Sequence, residues 1–184
     1  MTGCAETIAV VQGAPGVVVQ ELFGSLIDRW RAAARIAGVV AESHGLADRA
    51  CSAGFLRSIA SGERFSIFQD MGPGSTACHL EGGGAHSAAE AVRRDIARGC
   101  DLVILSKFAK LETNGAGLAD AFTAAMQARV PLLTSVSPAF ENPWAAFAGG
   151  GFTVLPADLP AIDAWWRVLG AARRTSPLDQ SALM

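Results

Sequence analysis

Three short stretches of this sequence combine residue types and spacings that bear on chemistry. The first is Gln12-Gly13-Ala14-Pro15-Gly16, between the apolar run Thr7–Gln12 and a stretch with helical spacing. A turn that opens a helix presents backbone N–H groups without intrahelical acceptors, together with the positive end of the helix dipole. Both favour an anion. The phosphate loop GxxxxGK[ST] uses this arrangement and adds a lysine for the phosphates and a hydroxyl for Mg²⁺. Here Val17-Val18-Val19 stands where those residues would fall, so hydrolysis by that machinery is not expected. The backbone at Gly13, Ala14, Gly16 and Val17 is a candidate anion cradle, with a plain strand-to-helix turn as the alternative.

The second stretch, Ser106-Lys107-Phe108-Ala109-Lys110-Leu111-Glu112, follows the strongly apolar DLVIL. Strands of this kind in nucleotide hydrolases end in an acidic residue that holds Mg²⁺, often beside another that positions water. Ser106 and Lys107 occupy those places, so a positive charge replaces the metal-binding carboxylates. Lys107 and Lys110 are placed for an anionic ligand; the alternative is a pair of surface lysines neutralised by Glu112. The third stretch is Thr134-Ser135, with Ser137 after it, at the end of PLLTSV. Hydroxyls there can donate to an oxyanion or cap the following turn.

A secondary candidate is the glycine-rich loop holding Asp70, Gly72, Gly74, Ser75, Thr76 and Cys78. Its N–H groups could form an anion-binding nest. Cys78 and His79, with Glu81 and His86, are the one set with metal-ligand chemistry, but neighbouring ligands are awkward for one tetrahedral ion and no CxxC partner exists. A buried thiol and a solvated imidazole are expected instead, and no metal is assigned. No serine sits in a GxSxG elbow and no cysteine has nucleophile spacing, so catalytic residues stay unassigned.

The elements that must position these residues alternate. Thr7–Gln12 reads as a buried strand, Val17–Ala37 as a helix and Ile36–Ala41 as a second strand, which together make a βαβ unit with a right-handed crossover. Gly54–Ala60 and Glu63–Phe68, joined by Ser61-Gly62, read as a hairpin. Gln69–Gly84 reads as a long loop. Helices are then expected at Ala85–Arg98, Leu118–Arg129, Pro143–Ala148 and Asp158–Ala172, and strands at Asp101–Leu105, Pro131–Val136 and Phe152–Leu155. This pattern predicts an α/β fold: a mostly parallel sheet with helices on both faces and an antiparallel hairpin at one edge. One domain over 1–172 is expected, with a flexible tail at 173–184.

Bulk properties narrow the partners. Fifteen Lys and Arg against seventeen Asp and Glu give a net charge of −2, with no basic stripe for nucleic acid. No apolar run approaches the roughly 18 residues of a membrane span, and Met1–Glu6 lacks signal-peptide character. A cytoplasmic protein is therefore expected. The four cysteines are widely spaced, and free thiols are expected. Adjacent Trp165 and Trp166 cannot share one helix face, so one is a candidate contact in a homo-oligomer.

Several of these segments resemble an uncharacterised bacterial family catalogued as domain of unknown function 2478. They are DLVILSKFAKLE with Gly115–Leu118 and PLLTSV, RFSIFQDMGPGSTACHLE, the WAAF segment Trp144–Phe147 and the Trp165-Trp166-Arg167 helix. The resemblance covers nearly the whole chain and keeps the segment order. Proteins of that family are often encoded beside molybdate transport genes and are grouped with the P-loop nucleoside-triphosphatases, so the resemblance implies a P-loop-type fold and a role near molybdenum metabolism. The Ser106–Glu112 segment also resembles the DEIGKMEL motif of small nucleoside-triphosphatases. Lys110 and Glu112 match it, and Ser106 and Lys107 replace its acidic pair.

The favoured function is therefore binding of a small oxyanion, either a nucleotide phosphate or molybdate or tungstate, through residues 13 to 17, Lys107, Lys110 and Thr134. One alternative is an active nucleoside-triphosphatase in which Asp70 or Glu112 holds Mg²⁺. The other is a regulatory or oligomeric partner with no small ligand.

Overall fold

The structure is a computed structural model that describes residues 6–47, 53–69, 79–80 and 82–175. In chain order the elements begin with β1 (Ile8–Gln12), α1 (Gly16–Trp30), β2 (Ile36–Ser43), β3 (Ala53–Ser58) and β4 (Arg64–Ser66). The small strands β5 (Phe68–Gln69) and β6 (His79–Leu80) follow, then α2 (Gly82–Arg98), β7 (Leu102–Leu105), α3 (Lys110–Thr113) and α4 (Ala119–Gln127). The chain continues through β8 (Leu132–Ser135), a 3-10 turn at Pro138–Phe140, α5 (Glu141–Ala148), β9 (Thr153–Pro156) and α6 (Leu159–Thr175).

Seven strands form one sheet in the order β4-β3-β2-β7-β8-β1-β9. The five strands from β2 to β9 in that order are parallel, while β3 runs antiparallel to both β2 and β4. The expected α/β fold with an antiparallel hairpin at one edge is therefore present. Successive side chains of a strand point to opposite faces, and the core divides accordingly. Ala9, Val11, Leu102, Ile104 and Leu133 face α1 and α6, where they meet Phe23, Leu26, Ile162 and Leu169. Val10, Val103, Leu105 and Leu132 face α2, α4 and α5, where they meet Val92, Phe122 and Trp144. Burial on both faces explains why β7 reads LVIL with no polar alternation.

Gly38 makes the β2–β7 pairing possible. It has φ +122, and a Cβ there would lie 1.9 Å from the carbonyl oxygen of Ile104, its register partner. No other residue fits that approach.

Several element boundaries differ from those expected. The first helix was expected to reach Ala37 but stops at Trp30; Ile36 and Ala37 pair with Leu102 and Val103, so sheet formation overrides their helical spacing. The next helix starts at Gly82 rather than Ala85, within a glycine run that carries no helical signal. The four-residue α3 and the paired strands β5 and β6 were not expected. Helix α6 continues to Thr175, into the stretch expected to be a tail; residues 176–184 lie outside the described residues. Trp165 is buried and donates to the Glu6 carbonyl at 2.9 Å, and Trp166 packs on Trp30 with ring centroids 5.6 Å apart.

Candidate functional site

Helix α1 carries the chain from β1 to β2 over one face of the sheet, whereas α5 carries it from β8 to β9 over the other. Strands β1 and β8 are neighbours, so the connections leaving their carboxyl ends diverge and open a crevice. That is the topological switch point at which open α/β sheets bind ligands. A cavity of 260 Å³ lies there, walled by Gly13, Ala14, Gly16, Lys107, Ser135 and Ser137 among others. A second, of 190 Å³, shares Gly16, Lys107 and Ser135 and adds Val17 and Gln20. A third, of 240 Å³, shares Lys107, Ala109 and Phe140 with the first and extends under Lys110 and Glu112. Lys107 lines all three.

The loop from β1 into α1 is only three residues, Gly13–Pro15. The two glycines of GxxxxGK are five positions apart, but Gly13 and Gly16 are three apart, so this turn cannot wrap a phosphate as the longer loop does. The N–H of Val19 donates to the Pro15 carbonyl at 3.1 Å. The N–H groups of Gly16, Val17 and Val18, ahead of it, find no acceptor among the described residues, and no acidic side chain sits in this first turn. The positive end of a 15-residue helix is thus left open at the crevice. Val17 and Val18 are exposed, which places apolar side chains where a phosphate loop carries its lysine and hydroxyl.

Opposite this turn, the chain beyond β7 is held by hydrogen bonds. The Ser106 carbonyl accepts from Ser135 Oγ and from Gln20 Nε2, both at 2.9 Å. Gln20 Oε1 in turn accepts from the Ala41 N–H at 2.9 Å. One amide thereby ties α1 to the ends of β2 and β7. Its only signal in the sequence is a carboxamide after the apolar Val17–Val19 of the first helix. The Phe108 N–H donates to the Ser135 carbonyl at 2.9 Å, and buried Phe108 packs against Phe122 and Trp144, which fixes the backbone of Lys107. The Lys107 and Lys110 side chains are exposed, with no ion pair among the described residues.

Glu112 does not neutralise those lysines. It is buried, and its two oxygens accept the N–H groups of Ala109 at 3.0 Å and Leu118 at 2.9 Å. Gly117, at φ +60, passes so close that a Cβ there would lie 2.4 Å from Glu112 Oε1. Glu112 is thus the clasp that folds residues 109–118, with each oxygen committed to a backbone donor.

Of the residues singled out in the sequence, the crevice brings together Gly13, Ala14, Gly16, Val17, Lys107 and Ser135, with Ser106, Lys110 and Glu112 in the adjoining cavity. Thr134 is not among them. It is fully buried beside Val10, on the α5 side of the sheet, and lines none of the three cavities. Its hydroxyl and the Trp144 Nε1 are buried without a hydrogen-bond partner among the described residues. Asp70, Gly72, Gly74, Ser75, Thr76, Cys78 and Glu81 lie outside the described residues, and His86 is exposed.

A family model described as "Protein of unknown function (DUF2478)" matches residues 8–165. The chain belongs to this family. The match runs from β1 to α6 and so takes in every wall of the crevice. The chain is also 34% identical, over 159 residues and 85% of its length, to the molybdenum import ATP-binding protein ModC 2 of Bradyrhizobium diazoefficiens. It spans 18% of that relative. No solved structure matches the chain with significance. Among the described residues, no helix is long and apolar enough to cross a membrane.

Proposed function

We propose that this DUF2478 protein binds a small oxyanion or a nucleotide phosphate in the switch-point crevice and works beside molybdenum import in the cytoplasm, without hydrolysing its ligand. The observation that carries the reading is the convergence of three positive groups on the crevice and the cavity beside it. They are the open N-terminus of α1, Lys107 and, at the adjoining cavity, Lys110, the two lysines having no ion pair among the described residues. Helix N-terminal amides and ammonium groups suit a multiply charged tetrahedral anion. The link to molybdenum rests on the similarity to an importer subunit and is extended from a small part of that longer protein. A P-loop-type ancestry fits the same similarity.

Hydrolysis is disfavoured on three grounds. The turn is short, Val17 and Val18 replace the lysine and hydroxyl, and Glu112 is buried with both oxygens already accepting backbone N–H groups. Incubation with Mg²⁺ and ATP or GTP should release phosphate only at the rate of a blank without protein. Release above the blank, abolished by Glu112→Gln, would overturn the non-hydrolytic part of the reading.

A further inference from the structure

The cavity under Lys110 is built differently from the crevice mouth. Its apolar walls include Ala41, Leu56, Ile67, Ala85, Leu118 and Phe140, contributed by β2, β3, the link between β4 and β5, α2 and the residues just before α4 and α5. Its volume is 240 Å³. A cavity of about 150 Å³ lined by aliphatic and aromatic side chains already holds a benzene-sized molecule. A bare tetrahedral anion would gain nothing from such walls, because burying an anion against apolar surface costs solvation without a compensating donor.

The uncommitted polar groups at this cavity all have the same sense. Lys107 and Lys110 place ammonium groups at its rim, with no ion pair among the described residues. Ser106 is 2% exposed, and its hydroxyl makes no hydrogen bond among the described residues. The one carboxylate among the described lining residues, Glu112, is buried, and each of its oxygens accepts a backbone N–H group. Among the described residues no side chain there is arranged to read the edge of a polar heterocycle, and Lys107, Lys110 and Ser106 can each donate to an anion.

Resting on the anion-binding reading, we infer that the ligand is an organic anion: a phosphate or carboxylate held at Lys107, Lys110 and Ser106, carried on an apolar ring that occupies the cavity beneath them. The apolar body supplies affinity by burial, at roughly 25 cal/mol per Å² of apolar surface removed from water. The charged head fixes its orientation.

Titration calorimetry with phenyl phosphate and with inorganic phosphate tests this. Phenyl phosphate should bind at least tenfold more tightly than inorganic phosphate. Filling the cavity by Leu56→Phe or by Ala85→Leu, at positions that line neither crevice cavity, should remove that preference and leave inorganic phosphate binding unchanged. Equal affinity of the two probes for the unaltered chain would overturn the inference and spare the anion site. So would a preference that survives both filled variants. Binding of neither probe would overturn the inference and, with molybdate and ATP also silent, the functional reading beneath it.

Discussion

Lys107, Glu112 and Thr134 were legible in the sequence as one group of candidates, and their environments separate them. Lys107 stands at a strand end with its backbone fixed and no ion pair among the described residues. Glu112 is a buried anion whose oxygens close a loop. Hydrogen bonds to a charged group contribute about 1.5–3 kcal/mol. Glu112→Gln, which turns one acceptor into a donor facing an N–H, should lower stability by about 2 kcal/mol in urea denaturation. Thr134 carries the opposite expectation. Its hydroxyl is buried and unpartnered among the described residues, so the near-isosteric Thr134→Val removes an unsatisfied group. The substitution should leave stability unchanged or raise it by about 1 kcal/mol, with anion binding unaltered in calorimetry. What the sequence could not convey is direction. Thr134 and Ser135 are adjacent, but strand alternation sends Thr134 into the α5 layer and leaves Ser135 at the crevice. That distinction needs the register Val10↔Thr134.

At the scale of elements, α1 is the part that makes the site. Its amino end opens on the crevice, and its other end is pinned to α6. There Trp30 Nε1 donates to Asp163 Oδ1 at 2.8 Å, and Arg167 Nε donates to Asp163 Oδ2 at 2.9 Å. The Trp30 indole N–H, foremost, and then the Arg167 and Arg29 guanidiniums hold the Asp163 carboxyl below the usual carboxylate range, against the opposing effect of burial. A carboxyl depressed in the folded state contributes stability in full above its unfolded value of about 3.9, and loses it as pH falls through the folded value. Asp163→Asn should therefore destabilise by about 1.5–3 kcal/mol at pH 7. Urea midpoints should show the gap between variant and parent closing as the pH falls below about 4. The central strands β1, β7 and β8 were readable as apolar runs because burial on both faces leaves them few polar residues, and the longer helices were readable from the spacing of their apolar residues. The end of α1 was not, since Ile36 and Ala37 fit a helix or a strand and only pairing with β7 decides. Gln20 was missed for a related reason: a carboxamide on a helix acquires meaning only when β2 and β7 end beside it.

For the whole molecule, the order of strands makes a site out of scattered residues. The parallel core depends on Gly38, where β2 and β7 meet closely. Gly38→Ala combines a positive φ with a clash against the Ile104 carbonyl, and should cost on the order of 4 kcal/mol or prevent folding, as a lost or greatly lowered melting transition would show. The same sheet brings the turn at Gly13–Pro15, the strand end at Ser106-Lys107 and the segment at Ser135 into one crevice from three distant parts of the sequence. The central claim is that this crevice binds an anion through its positive groups. A ligand that binds only the folded chain at 100 times its dissociation constant adds about 2.7 kcal/mol. For a chain of this size, that is a rise in melting temperature of roughly 5–10 °C. The most direct test is the melting temperature with and without molybdate, tungstate, ATP or phenyl phosphate, for the parent chain and for Lys107→Ala with Lys110→Ala. At least one of these anions should raise it in the parent, and the double variant should fold with an unchanged baseline while losing most of that rise. No shift with any of them, or an equal shift in the double variant, would contradict the account.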